Sequence, residues 1–260
     1  MNLSELPDLY QNYSLSRIHG DWALFVMQSH RLNDQRFCNE VLLFARQIMR
    51  RVRENIVRIV ERLDADGYRF VDRNMAYKPP NPNTFEWIQI LAEAGIYLPL
   101  SLQAWYLEVG SVNLMGSHPN WSKPGYLFDG EERTNDVWYT DPLFVTQMDE
   151  DYISYLQDLR DEWRKYQESN RYCRSKTYPF RIPIGLDRLH KANVSGGLPY
   201  EIDATLSKVD AFILNERNCT SFMGYIRLAL QWGGFPGFLY IRESNFENWL
   251  IQNRLGMMEI

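Results

Sequence analysis

The chain has 260 residues, of which 45% are hydrophobic, 14% aromatic and 23% charged; that is enough apolar material for a large core and too little charge for wholesale disorder. The net charge of −5 does not suit a chain built to hold nucleic acid, which asks for a basic face. No stretch approaches the roughly 20 apolar residues of a membrane helix, and Met1–Tyr13 lacks a basic segment followed by an apolar run, so no membrane contact and a cytoplasmic location are expected.

In chain order, Trp22 to Met27 form a short apolar run that reads equally as a helix turn or a strand. Residues 37–66 carry the clearest pattern: Val41, Ala45, Ile48, Val52, Ile56, Ile59 and Leu63 recur at steps of three and four, the stripe of an amphipathic helix. Gly67 suits its C-terminal cap. Lys78 to Asn83, with three prolines, reads as an extended turn, after which Thr84 is expected to cap a helix stopped near Gly95. Leu98-Pro99 opens a short helix that Gly110 closes, and Ser111 to Met115 reads as a strand. Further strands are expected at Val137–Tyr139, Leu143–Val145, Tyr178–Ile184, Pro199–Asp203 and Lys208–Leu214. A helix over 149–168 should put Tyr152, Tyr155, Leu156, Leu159, Trp163 and Tyr166 on one side, with acidic residues in its first turn. Thr220 is expected to cap a helix stopped at Gly233-Gly234, and residues 246–255 a final short one. Helices cluster early and strands later, which predicts an α+β fold, a mixed or antiparallel sheet with long amphipathic helices packed on it. A single domain over 1–260 is expected, with its core in 36–215 and a helical segment, 216–260, packed on it.

No dinucleotide, phosphate-loop, nucleophile-elbow or zinc-protease motif is present. Gly233 to Gly237 is glycine-rich but follows a helix, whereas a phosphate-cradling loop precedes one. Three cysteines, Cys38, Cys173 and Cys219, are far apart and form no CxxC pair, so reduced thiols are expected rather than a disulfide scaffold. The four histidines share no metal-ligand spacing. Neither a metal nor a cofactor is expected, and no catalytic residue is assigned.

Charge is uneven. From Asp129 to Glu162 there are eleven acidic residues against two arginines, a local charge of −9. Trp121, Asp129, Glu131, Glu132, Asp136, Trp138 and Asp141 fall in or beside this segment, outside any helical stripe. Aromatics of this kind either pack beneath a loop or anchor an interface, and the carboxylates would steer a basic partner.

The order helix, Leu98-Pro99-Leu100-Ser101-Leu102, Trp105-Tyr106, Gly110 and strand resembles the opening of the SUKH superfamily, over about residues 50–150. That family includes bacterial immunity proteins, which neutralise polymorphic toxins, and a fungal regulator of cell-wall assembly. The resemblance implies an α+β fold, no catalysis, and binding of protein partners through a variable face of the sheet. The chain is longer than the usual single module.

The leading expectation is therefore a non-enzymatic protein-binding module of bacterial type, immunity-like or part of a toxin or defence system, whose acidic face meets a basic protein. One alternative is a hydrolase using His118 or His190 with carboxylates from 129–151. Another is a nucleic-acid-associated subunit using Arg46, Arg50, Arg53, Arg58 and Arg62 on the 37–66 helix.

Overall fold

The seven residues of the long apolar stripe, Val41 to Leu63, are all buried. In the computed structural model, which describes residues 15–121, 125–131, 139–172, 177–254 and 260, they lie on a 31-residue helix, α2 (Gln35–Ala65). It begins two residues before the expected start because Asp34 caps it: the carboxylate accepts the N–H groups of Arg36 and Phe37 at 2.9 and 3.4 Å. At the other end Gly67, with φ +80°, turns the chain in the left-handed region that a side chain disfavours. The run at Trp22–Met27 belongs to α1 (Leu15–Met27), and Trp22 is buried.

The remaining elements are β1 (Arg69–Phe70), β2 (Tyr77–Lys78), α3 (Thr84–Glu93), α4 (Leu100–Glu108), β3 (Ser111–Asn113), β4 (Gly116–Ser117), β5 (Phe144–Val145), α5 (Glu150–Ser169), β6 (Arg181–Gly185), β7 (Tyr200–Asp203), α6 (Phe222–Gln231) and α7 (Ser244–Arg254). The fold is α+β, largely helical with small antiparallel sheets. β1 pairs with β4, β3 lies between β2 and β5, and β6 pairs with β7; the Thr146 N–H donates to the Ile184 carbonyl at 2.9 Å, joining the end of β5 to β6. The most extensive packing between two elements is that of α2 against α4. One contiguous apolar core runs from Trp22 to Ile260, and it includes Phe222, Ile226, Phe246 and Trp249 of the two C-terminal helices. Among the described residues no helix is long and apolar enough to cross a membrane.

Several expected boundaries move. Thr84 is the first residue of α3, and the preceding cap position is Asn83, whose side chain makes no capping bond. Thr220 gives way to Ser221 as the cap of α6, with the Ser221 hydroxyl accepting the Gly224 N–H at 3.2 Å. Lys208–Leu214 is not a strand; it makes only isolated bridges, Leu214 with Glu201 and Phe212 with Ser221. Its carbonyls are used elsewhere. Lys208 and Val209 accept the N–H groups of Leu100 and Ser101 at the start of α4, and Ala211 accepts that of Phe222 at the start of α6. The segment satisfies two helix N-termini, whose first donors have no partner inside the helix. Val137 and Trp138 lie outside the described residues. Ser221→Ala should cost about 1 kcal/mol, read as a lower urea midpoint with an unchanged slope; an unmoved midpoint would reassign the cap.

Candidate functional site

α5 has the amphipathic sequence read above, but its apolar side divides. Tyr152 and Leu156 are buried in the core, whereas Tyr155 and Tyr166 stay 47% and 40% exposed. These two tyrosines, with Leu159, Glu162 and Trp163, form one wall of a groove of about 440 Å³. The opposite wall comes from the lead-in to β6 and from the β6–β7 pair: Tyr178, Phe180, Arg181, Pro183, Pro199 and Glu201. Three bonds hold the walls in register. Trp163 Nε1 and Gln167 Nε2 donate to the Tyr178 carbonyl at 2.9 and 3.2 Å, and the Tyr152 hydroxyl donates to the Pro183 carbonyl at 2.6 Å.

The groove has a mixed chemistry. The Tyr166 and Tyr178 rings lie 5.4 Å apart, and Tyr178 is 46% exposed. Behind them the Arg160 guanidinium sits over the Trp163 and Phe180 rings at 4.4 and 4.9 Å, fixing the floor by cation–π contact. Glu162 is exposed on one wall and Glu201 half-buried on the other. Burial raises the Glu201 pKa, and the Arg181 charge only partly offsets this. Elsewhere on its surface α5 exposes Asp158 and Asp161, the latter paired with Arg164 at 3.4 Å, with Glu150 and Asp151 at its N-terminal end, where acids favour the helix dipole. Leu198, 69% exposed, adjoins Pro199 at the rim.

Among the described residues, those singled out from the sequence do not converge. Asp129 and Glu131 are exposed, and Glu131 pairs with Arg69 at 3.5 Å. Glu132, Asp136 and Trp138 lie outside the described residues. Trp121 is not at the surface. It is 7% exposed, stacks on His118 at 4.6 Å, and meets Phe235, Phe238, Phe246 and Trp249 edge-on at 5.1 to 5.7 Å. Asp141 is also buried: its carboxylate accepts from Lys191 Nζ at 2.6 Å and from the Tyr200 hydroxyl at 3.0 Å. A basic partner has no access to either residue, so a surface role for Trp121 and Asp141 is corrected to a core role.

Among the described residues His118 and His190 find carboxylates, but outside 129–151. His118 Nε2 lies 2.9 Å from Asp66, and its Nδ1 accepts the Asn120 N–H at 3.1 Å. Both ring nitrogens are occupied, and the ring is buried against Trp121, which describes a structural histidine. His190 Nδ1 bonds Asp187, which also accepts the Leu189 N–H. Neither histidine lines the groove. Among the described residues no cluster of three or more metal-ligating side chains occurs. On α2, Arg46 and Arg50 bond the buried Glu108 carboxylate at 2.6 and 3.1 Å, while Arg53 Nη1 donates to the Glu108 carbonyl at 3.3 Å. A carboxylate at a helix C-terminus is opposed by the dipole, and these guanidiniums compensate it. Arg62 donates to the Asn253 carbonyl. Much of the arginine face is thus engaged within the fold.

No family model matches the chain, and no curated protein or solved structure does so either.

Proposed function

We propose that the protein is a protein-binding module that holds an extended, cationic segment of a basic partner protein in the groove between α5 and the β6–β7 pair. The observation that carries this reading is the set of three tyrosines, Tyr155, Tyr166 and Tyr178, left 40–47% exposed around a groove that also presents two carboxylates. Tyrosine rings give contact area at low entropic cost and are enriched at interfaces. Their faces attract Lys and Arg, and Glu162 and Glu201 add charge complementarity. The exposed Asp158 of α5 and Asp129 add to the overall field that speeds encounter. The SUKH-like order of residues 84–115 supports an immunity-like role within this class, with a basic toxin as the partner.

The test is titration of the full chain with a labelled oligolysine peptide and with its glutamine counterpart. Only the charged peptide should bind, with an affinity that falls as salt rises. Tyr155→Ala and Tyr166→Ala should each weaken binding by about 1 kcal/mol, roughly fivefold, with folding preserved. Glu162→Lys should weaken it further. Binding should also fade as pH drops through the raised Glu201 pKa, because protonation removes the charge that meets the cation. Equal binding of the two peptides, or tyrosine variants that bind like the parent, would overturn the reading.

A further inference from the structure

The second cleft lies on different elements. Beyond β2 the chain runs Pro79-Pro80-Asn81-Pro82, and three prolines in four residues hold this strap extended and rigid. It presses against the start of β3. Gly110 sits at φ +94°, and a Cβ there would lie 2.3 Å from the Lys78 carbonyl oxygen and 2.8 Å from Pro80 N, so only glycine permits the approach. Beside the strap is a cleft of about 270 Å³. Lys78, Thr84 and Gln147 line it together with the buried Tyr106, Ser111 and Met148.

Three independent features of this cleft point to a ligand. First, the Ser111 hydroxyl is buried without a hydrogen-bond partner among the described residues. The Tyr106 hydroxyl, also buried, bonds the Tyr152 hydroxyl, which in turn donates to the Pro183 carbonyl. Buried orphan hydroxyls are rare, and a missing water, ion or ligand is their usual explanation. Second, the Lys78 ammonium bonds only the neutral Gln147 side-chain oxygen, at 3.2 Å, and pairs with no carboxylate among the described residues. Third, Thr84 is the first residue of α3, whose N-terminus has no side-chain cap, so the positive end of a ten-residue helix borders the cleft. Asp149, whose charge reaches Tyr106, is committed to the Tyr152 N–H at 2.9 Å as the cap of α5.

We propose that this cleft binds a small organic oxyanion, a carboxylate or phosphate carried on a short apolar body. Lys78 supplies the charge, Ser111 donates its hydroxyl hydrogen, and the strap prolines with Met148 cover the apolar part. The site is separate from the tyrosine groove, and its test does not depend on peptide binding.

The experiment follows the Met148 methyl and the Thr84–Glu86 amides of the full chain by NMR during titration with butyrate, with butyl phosphate and with inorganic phosphate. The expected result is a saturable shift with butyrate or butyl phosphate, tighter than with inorganic phosphate because the apolar wall is then used. Whichever of the two binds more tightly identifies the head group. Lys78→Met should weaken binding at least tenfold; Lys78→Gln serves if that variant does not fold. Ser111→Ala should weaken it severalfold while leaving the melting temperature of the free protein unchanged or higher, because its hydroxyl has no partner to lose. No saturable shift with any probe, shifts that persist in the Lys78 and Ser111 variants, or a destabilised Ser111→Ala would each overturn the proposal.

Discussion

Trp121→Ala is expected to destabilise the protein by about 3–5 kcal/mol, the range for removing a large buried aromatic. Trp121 is the hub of an aromatic cluster drawn from distant parts of the chain: Phe235 and Phe238 after α6, Phe246 and Trp249 on α7, and Tyr68 at 5.8 Å after α2. These partners belong to different elements, so they cannot collapse together to refill the space. His118 would lose its stacking surface while still having to hold Asp66 and Asn120. Urea denaturation measures the loss, and the slope should stay constant because the native surface changes little. A variant that keeps its stability within about 1 kcal/mol but loses a binding partner would return Trp121 to the interface role that its position beside the acidic segment suggested.

The elements legible in the sequence are those whose determinants are local. α2 is read directly because seven apolar residues at helical spacing all face the core, and only its cap at Asp34, set by side-chain bonding, extends it beyond the pattern. Lys208–Leu214 shows the opposite case. Val209, Ala211 and Ile213 alternate and are all buried, so the extended conformation and its buried face are legible. What does not follow from alternation is the destination of the backbone carbonyls, which serve the first turns of α4 and α6, more than a hundred residues away in the case of α4.

The groove was invisible for a related reason. Its walls come from 155–166 and 178–201, and the α5 stripe alone gives no sign that Tyr155 and Tyr166 remain outside. One signal was present: the stripe carries tyrosines where a buried face more often carries aliphatics, and a tyrosine keeps a polar tip that tolerates water. The acidic segment was legible as charge and not as geometry. Asp129 and Glu131 remain outside, while Asp141 is drawn in by Lys191, fifty positions along the chain.

That buried pair supports the second large prediction. Lys191 is fully buried. Its ammonium donates to Asp141 at 2.6 Å and to the Tyr225 hydroxyl at 3.2 Å, and it lies 4.4 Å from the Tyr200 ring centre. Asp141→Asn keeps the size of the side chain and suits the positive φ of 47° at this position, but leaves the lysine without its counter-charge. Breaking a buried pair in this way costs about 3–5 kcal/mol, because the remaining charge is uncompensated. Adding Lys191→Met removes that charge and should recover most of the loss, since an apolar replacement of a buried pair is often neutral. The sign of the pH dependence follows from the lysine. Burial lowers its pKa below the ordinary 10.5, with Asp141 the first of the groups holding it up. Between the lowered value and 10.5 the unfolded chain binds more protons than the folded one, so stability rises with pH across that window. Without Asp141 the window extends downward, and Asp141→Asn should gain stability as pH rises toward about 9, below the ordinary tyrosine range near 10. Above that range Tyr200 and Tyr225, whose pKa values burial raises, oppose the trend, because the unfolded tyrosines release protons that the folded ones keep. Denaturation midpoints that stay flat over this interval in Asp141→Asn, or a double variant no more stable than the single one, would show that Lys191 is not the uncompensated charge.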